Sequence, residues 1–334
     1  YQNQLIDSRM ASHRSWISEN GSLSATLVIE TTMEVPSHGN RAKKGIEGES
    51  KRSEEKVKLC IKSSFTLLKD AKSVDVVTTI DNIASDHRLR LFFPTGIDAE
   101  YASADGHFSV EQRPVEPLKN NDGEFYSGMQ TLPMGRFVNI DNGKEGLAVL
   151  TNSIGEYEML RDDNHTLALT LFRSVENRIC TEYRASGYFP EQKGGQSLRK
   201  MSFEYAIMPH KGDWEEASIL KHSEMFNLSP IAYQLTSGGE GKIQQTKSMM
   251  EISSSRISVS AIKQAENMEG LIVRLYNPGK EDDTISLKTD LNVSSAYICT
   301  TNEEFREKIE VVDNKLIINI MKGEIKTVFI NISN

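Results

Sequence analysis

Apolar and polar residues alternate with a period of two along most of this chain. In Lys56-Val57-Lys58-Leu59-Cys60-Ile61-Lys62, Val57, Leu59 and Ile61 share one face, while Lys56, Lys58 and Lys62 lie on the other. A strand sends successive side chains to opposite faces, so this segment reads as a half-buried strand. The same pattern predicts strands over residues 23–29, 74–80, 167–172, 201–207, 257–262, 271–276, 316–320 and 325–332. Turn signals separate them: Asn20-Gly21, Asp105-Gly106, Asp122-Gly123, Asn142-Gly143 and Asn277-Pro278-Gly279. Many short strands joined by such turns describe sandwiches, not a βαβ fold. The expected fold class is mainly β: a large supersandwich followed by a smaller C-terminal sandwich.

One helix interrupts the pattern. Asp213 can cap it with Glu216 as capping-box partner, and Trp214, Ala217, Leu220 and Phe226 give an apolar stripe running to about Met225. Asn227-Leu228-Ser229-Pro230 breaks it, and a polar, glycine-rich stretch follows over residues 236–247. This divides the chain into residues 1–226, with the helix as terminal linker, and residues 227–334. Residues 37–55, with Gly39, Gly45, Gly48 and many charges, read as a mobile loop or edge.

Composition narrows the function classes. The 334 residues can bury a core without staples. A net charge of −8 opposes a phosphate backbone, so nucleic acid is not an expected partner. No apolar run is long enough to cross a membrane, and no membrane partner is expected. Cys60, Cys180 and Cys299 are odd in number and show no CxxC spacing, which argues against a disulfide framework or zinc site and suits a reducing cytoplasm. Tyr1-Gln2-Asn3-Gln4 has neither an initiator Met nor a signal pattern, so the chain is expected to be a piece of something longer.

Motifs for self-contained chemistry are missing. There is no phosphate loop, no GxSxG elbow and no histidine pair at metal-binding spacing. Three polar clusters remain. In the first, Asp81, Asp86, His87 and Arg88 precede the apolar run Leu91-Phe92-Phe93. They read as a structural turn whose Asp86 and Arg88 tie strands together. The second holds Glu156-Tyr157-Glu158 and Arg161-Asp162-Asp163. Two carboxylates can cleave a glycoside, but catalytic pairs flank the bond from different elements, and Glu156 and Glu158 lie on one side of one strand. Glu156, Tyr157, Arg161 and Asp162 are therefore candidates for sugar or interface contact, not for catalysis. The third, Arg173 with Glu176, Arg178 and Arg184, reads as a solvated face, and Tyr183, Tyr188, Phe189 and Tyr205 as core or rim aromatics.

Several of these stretches, in this order, resemble bacterial glycoside hydrolase family 38. They are Asp81-Asn82, Asp86-His87-Arg88-Leu89-Arg90 and Phe93-Pro94; Gly146-Leu147-Ala148-Val149-Leu150 and Glu156-Tyr157-Glu158; Leu167 through Val175; Phe203 through His210; Asn227 with Ser229-Pro230; and Gly270 through Pro278. The family comprises α-mannosidases, with mannosylglycerate hydrolases among its bacterial members. The resemblance implies a catalytic α/β barrel, then a helical bundle, then galactose-mutarotase-like and terminal β-sandwiches. The barrel would carry the zinc ion, its His and Asp ligands and the Asp nucleophile. No residue of this chain matches those motifs, so no catalytic residue, metal ligand or cofactor is assigned here. The implied partners are the chain's own barrel and a mannose-containing glycan or small mannoside, with a homo-oligomer open. The segment 155–163 is the implied approach to the cleft. A second class stays open at this point: a stand-alone carbohydrate-binding or mutarotase-like protein using His87, His165 or His210.

Overall fold

The computed structural model describes residues 5–40, 51–116, 131–175, 177–180, 185–188, 193–234 and 246–332. Antiparallel strands dominate it, and the one α-helix among the described residues is Ile219–Asn227. The chain is mainly β, as the alternation predicts. The predicted segments form strands, several with extended ends: Ser24–Pro36, Lys56–Leu68, Val74–Asp81, Thr166–Arg173, Lys200–Lys211, Ser258–Gln264, Leu271–Tyr276, Lys315–Ile320 and Ile325–Ile332. The signal Asp122-Gly123 and most of the loop 37–55 lie outside the described residues. The ends of that loop pair as a short ladder, Gly39 opposite Arg52 and Asn40 opposite Lys51.

Two expectations are corrected. The helix does not start at a capping box on Asp213; it starts at Ile219, behind turn residues 214–218. Ser218 at its N-cap is left-handed, at φ 54° and ψ 40°, and makes no side-chain capping bond. Backbone turns take over that role: the Ser218 amide donates to the Glu215 carbonyl and the Ile219 amide to Trp214. The strand Thr166–Arg173 is buried on both faces, not one. Its second face carries the small Ala168, which pairs with Glu158 on one side and Phe92 on the other, and longer side chains flank it there.

By internal packing the chain divides into two units, residues 1–102 with 113–213, and residues 103–112 with 214–334. The sequence pattern puts a boundary after residue 226; in this division the helix groups with the second unit.

The first unit holds most of a nine-stranded sheet; residues 103–105 and 110–112 of its last two strands are grouped with the second unit. The sheet order is Ser12–Asn20, Ser24–Pro36, Lys56–Leu68, Val74–Asp81, Lys200–Lys211, Glu145–Thr151, Phe137–Asp141, Tyr101–Asp105 and Val110–Pro114. A four-stranded sheet, Leu132–Pro133, Glu156–Met159, Thr166–Arg173 and Arg88–Pro94, covers part of it. Aromatic rings join the two inner faces. Phe93 meets Tyr205 edge-on at 6.4 Å and Phe172 stacks on Phe203 at 6.3 Å. Gly146 lies opposite His210 in the large sheet, and a Cβ there would collide with the imidazole ring.

The second unit pairs a four-stranded sheet with a five-stranded one. Ile285, Leu287, Leu316, Ile318 and Ile320 of the smaller sheet join Val273, Leu275, Ala296, Val328 and Ile330 of the larger in one apolar core. The burial pattern of Lys315–Ile320 alternates strictly, as a strand covered on one face must. Gly270, at φ 150°, enters this sheet where a Cβ would stand 2.7 Å from the Ile330 carbonyl oxygen.

Candidate functional site

The four-stranded sheet of the first unit carries its charges on its outer face. Glu158 faces Ala168, and Thr170 faces Arg90 on the next strand. Alternation therefore gathers the acids of Glu156–Met159 and the arginines of Arg88–Pro94 over one surface. The Glu158 carboxylate accepts from Arg90 at 2.8 Å and from Arg88 at 3.4 Å, and Arg88 also donates to the Thr131 hydroxyl at 3.2 Å. Glu156 accepts from Arg173 at 2.8 Å. Arg90 lies 4.8 Å over the Phe92 ring. Burial, with Arg88 beside it, pulls the Arg90 guanidinium below its ordinary pKa.

Beside this face lies a cavity of about 400 Å³. Its wall includes Ala102, Pro114, Val115 and Leu132, and then the run from Tyr157 to Asp162. That size suits a small ligand. Tyr157 is fully buried, and the Arg113 guanidinium sits 5.9 Å over its ring. Asp162 is turned toward its own loop. Its carboxylate accepts from the Thr166 amide at 2.9 Å and the Thr166 hydroxyl at 2.7 Å, which closes the turn 162–166. Partial burial opposes ionisation, but the Thr166 bonds outweigh it and hold Asp162 below the ordinary carboxylate pKa.

Of the four cleft candidates, the structure brings Tyr157, Arg161 and Asp162 to this cavity. Glu156 is elsewhere, paired with Arg173 on the outer face. Glu158 lines the cavity while clamped by two guanidiniums. With Arg88 and Arg90 both on its carboxylate, Glu158 gives this strand charge and shape to offer a ligand.

The cluster at Asp81–Arg88 is dispersed. Asp81 is exposed at a strand end. Asp86 accepts from the Gly39 amide at 3.1 Å and from the Gln196 side chain at 2.8 Å, while its own amide donates to Gln196 at 3.0 Å. Arg88 reaches the other way, to Glu158. His87 meets Phe172 edge-on at 5.4 Å, and neither of its ring nitrogens has a hydrogen-bond partner among the described residues. Burial pushes its pKa down and so favours the neutral imidazole. His210 hydrogen-bonds Asn139 at 2.6 Å, and Asn139 in turn donates to Asp141 at 2.7 Å. The side chains of Glu176, Arg178, Arg184, Tyr183, Tyr188 and Phe189 lie outside the described residues. Tyr205 is core, its hydroxyl 3.2 Å from that of Thr78.

Sequence reasoning misses Gln196, which ties Asp86, Asn82 and Ser174 together. Nothing local marks it, because its partners lie more than a hundred residues upstream or across a separate strand. Among the described residues no three His, Cys, Asp or Glu side chains converge as metal ligands. No helix of the described residues is long and apolar enough to cross a membrane.

Fold and site together define a pair of antiparallel β-sandwiches, the larger bearing an arginine-rich sheet face beside a cavity. The chain belongs to glycosyl hydrolase family 38. "Glycosyl hydrolases family 38 C-terminal domain" matches residues 1–177, and "Glycosyl hydrolases family 38 C-terminal beta sandwich domain" matches residues 256–328. A Halalkalibacterium halodurans protein described as "Putative mannosylglycerate hydrolase" is 29% identical over 301 residues, 88% of this chain and 32% of that protein. Mouse "Alpha-mannosidase 2C1" is 25% identical over 247 residues, 72% of this chain and 22% of its own length. The crystal structure of an α-mannosidase from Enterococcus faecalis V583 superposes with a TM-score of 0.82 at 23% identity, over 96% of this chain and 35% of that one. The last likeness speaks for the fold. The chain thus spans about a third or less of the length of these relatives.

Proposed function

We propose that this chain is the non-catalytic C-terminal part of a retaining α-mannosidase, scaffolding a catalytic barrel and rimming its substrate cleft. The carrying observation is the family match. Both matching descriptions are of C-terminal domains, and the bacterial relative is about three times as long as the region shared with it. In such an enzyme one carboxylate attacks the anomeric carbon and a second carboxyl group acts first as acid and then as base. Both would reside in the barrel, with the zinc ion. This chain would supply the wall formed by Tyr157, Arg161 and Asp162, with Glu158 and its arginines behind it. The larger unit would be of the galactose-mutarotase-like kind. The name of the bacterial relative points to a small mannoside as substrate, and the free thiols of Cys60 and Cys299 are in keeping with a cytoplasmic enzyme.

The test compares this chain with its full-length polypeptide on an aryl α-mannoside. Turnover is expected only from the full-length protein, and metal-dependent turnover by residues 1–334 alone would overturn the proposal. Calorimetric titration of the isolated chain with mannose and a mannoside separates the rival reading. Saturable binding, with no upstream barrel encoded, would favour a stand-alone carbohydrate-binding protein.

A further inference from the structure

The nine-stranded sheet is wider than the sheet that covers it, and the consequence can be followed along one row of residues. Ile17, Leu27, Phe65, Val76 and Tyr205 occupy facing positions in five successive strands. They lie on the inner face, since Tyr205 meets Phe93 of the covering sheet. Tyr205 is 3% exposed and Val76 1%, Phe65 is half-buried, Leu27 is 37% exposed and Ile17 60%. Leu67, two residues beyond Phe65 on the same face, is also exposed. The apolar row continues past the point where its cover stops.

The opposite face of the same strands is finished for water. Trp16 lies over Val28 in register, with Arg14 at 5.0 Å and Lys62 at 5.7 Å from its ring, and Val28 is buried beneath. Val77 and Leu68 are exposed singly on that face, whereas the inner face leaves Ile17, Leu27 and Leu67 exposed together, beside half-buried Phe65 and in line with the core row they extend.

We propose that this overhang, centred on Ile17, Leu27, Phe65 and Leu67, is the seat of an apolar ridge from the part of the polypeptide that precedes these domains in the full-length enzyme. The inference rests on the C-terminal reading above. Three observations choose this occupant. About two thirds of the bacterial relative's length lies outside the shared region, and the matching family domain begins at residue 1. The overhang is on the first three strands in the sheet order, which belong to the early part of the matching family domain. Its few side chains fall well short of the roughly 800 Å² per partner that holds a free complex together. A tethered segment needs no such area, because linkage supplies an effective concentration in the millimolar range. A second copy adding edge to edge is disfavoured by the register shift between Ile17 and Glu19 and by the charges of Arg14 and Glu19 on that edge strand.

Hydrogen exchange of residues 12–36 tests the seat, read by mass spectrometry in residues 1–334 and in the full-length polypeptide. Exchange in the full-length protein is expected to be at least about tenfold slower. The double variant Ile17→Asp, Leu27→Asp should abolish that difference, while Ile317→Asp, on an exposed position of the second unit, should leave it intact. Equal exchange in both forms would overturn the seat and leave the C-terminal reading standing. Slow exchange already in residues 1–334, with or without concentration-dependent association, would overturn it in favour of a cover supplied by this chain or a second copy. A native polypeptide with nothing upstream would overturn the C-terminal reading itself, and the seat with it.

Discussion

The two units solve the same packing problem differently. The second pairs sheets of five and four strands, and one apolar core of residues from both fills the space between them. The first sets four strands against nine, so its core ends in mid-sheet and its inner face runs on into solvent at Leu27 and Ile17. Its covering sheet also carries a charged outer face, where three arginines pair with two glutamates. Sheets of matched width can close a core by themselves. Mismatched widths leave apolar surface that a domain resting on another domain can use.

The sharpest way to break the comparison is one truncation made in both units. Leu287→Ala, in the closed core, should cost about 2–5 kcal/mol. Leu27→Ala, on the overhang, should change the stability of this chain by less than about 1 kcal/mol. Urea unfolding followed through the two tryptophans separates the units, since Trp16 belongs to the first and Trp214 to the second. Equal losses would show that the overhang is as well covered as the core.

A middle-sized effect is expected on the charged face. Glu158→Gln leaves Arg88 and Arg90 without their shared carboxylate, and the pair is only 12–26% exposed, so about 1–3 kcal/mol should be lost. Glu156→Gln breaks a pair exposed at 42% and 31%, where solvent screens the charges, and less than about 1 kcal/mol is expected. The Glu158 deficit should shrink little in 1 M salt, whereas the Glu156 deficit should vanish.

The smallest expected effect is a pH slope confined to the first unit. Burial holds the folded pKa of His87 below the unfolded value of about 6.5, so the unfolded chain binds its proton more readily. Stability is then lost as pH falls below about 6.5, by at most about 1.4 kcal/mol per pH unit, and the loss levels off once the folded imidazole protonates. His87→Phe, which keeps an aromatic ring against Phe172, should flatten that slope in the Trp16 signal and leave the Trp214 signal unchanged. A slope that persists in the variant would assign it to other groups.

Much of the fold was legible in the chain. Alternation at 315–320 and 325–332 needs only a face to bury, and those strands appear as read. The turn at Asn142-Gly143 links Phe137–Asp141 to Glu145–Thr151 because Gly143 adopts φ 79°. The helix start was less legible, because a backbone turn at Trp214–Ser218 competes with a side-chain cap of similar strength. Of the site, Glu156-Tyr157-Glu158 with Arg161-Asp162-Asp163 was legible as a polar cluster whose first part alternates as a strand. Glu156 and Asp162 read alike in sequence, yet one pairs across the outer sheet face and the other bends back onto Thr166.

The sequence by itself determined many of the strands and the family, because periodicity and motif order are local or collinear properties of the chain. Only the tertiary structure decided which arginines reach Glu158, that Gln196 joins Asp86 to Ser174, and where the four-stranded sheet stops short of the nine-stranded one. Those are facts of long-range register. An apolar residue such as Ile17 carries the same alternation signal whether or not another sheet arrives to cover it, and coverage depends on strands as distant in sequence as Thr166–Arg173.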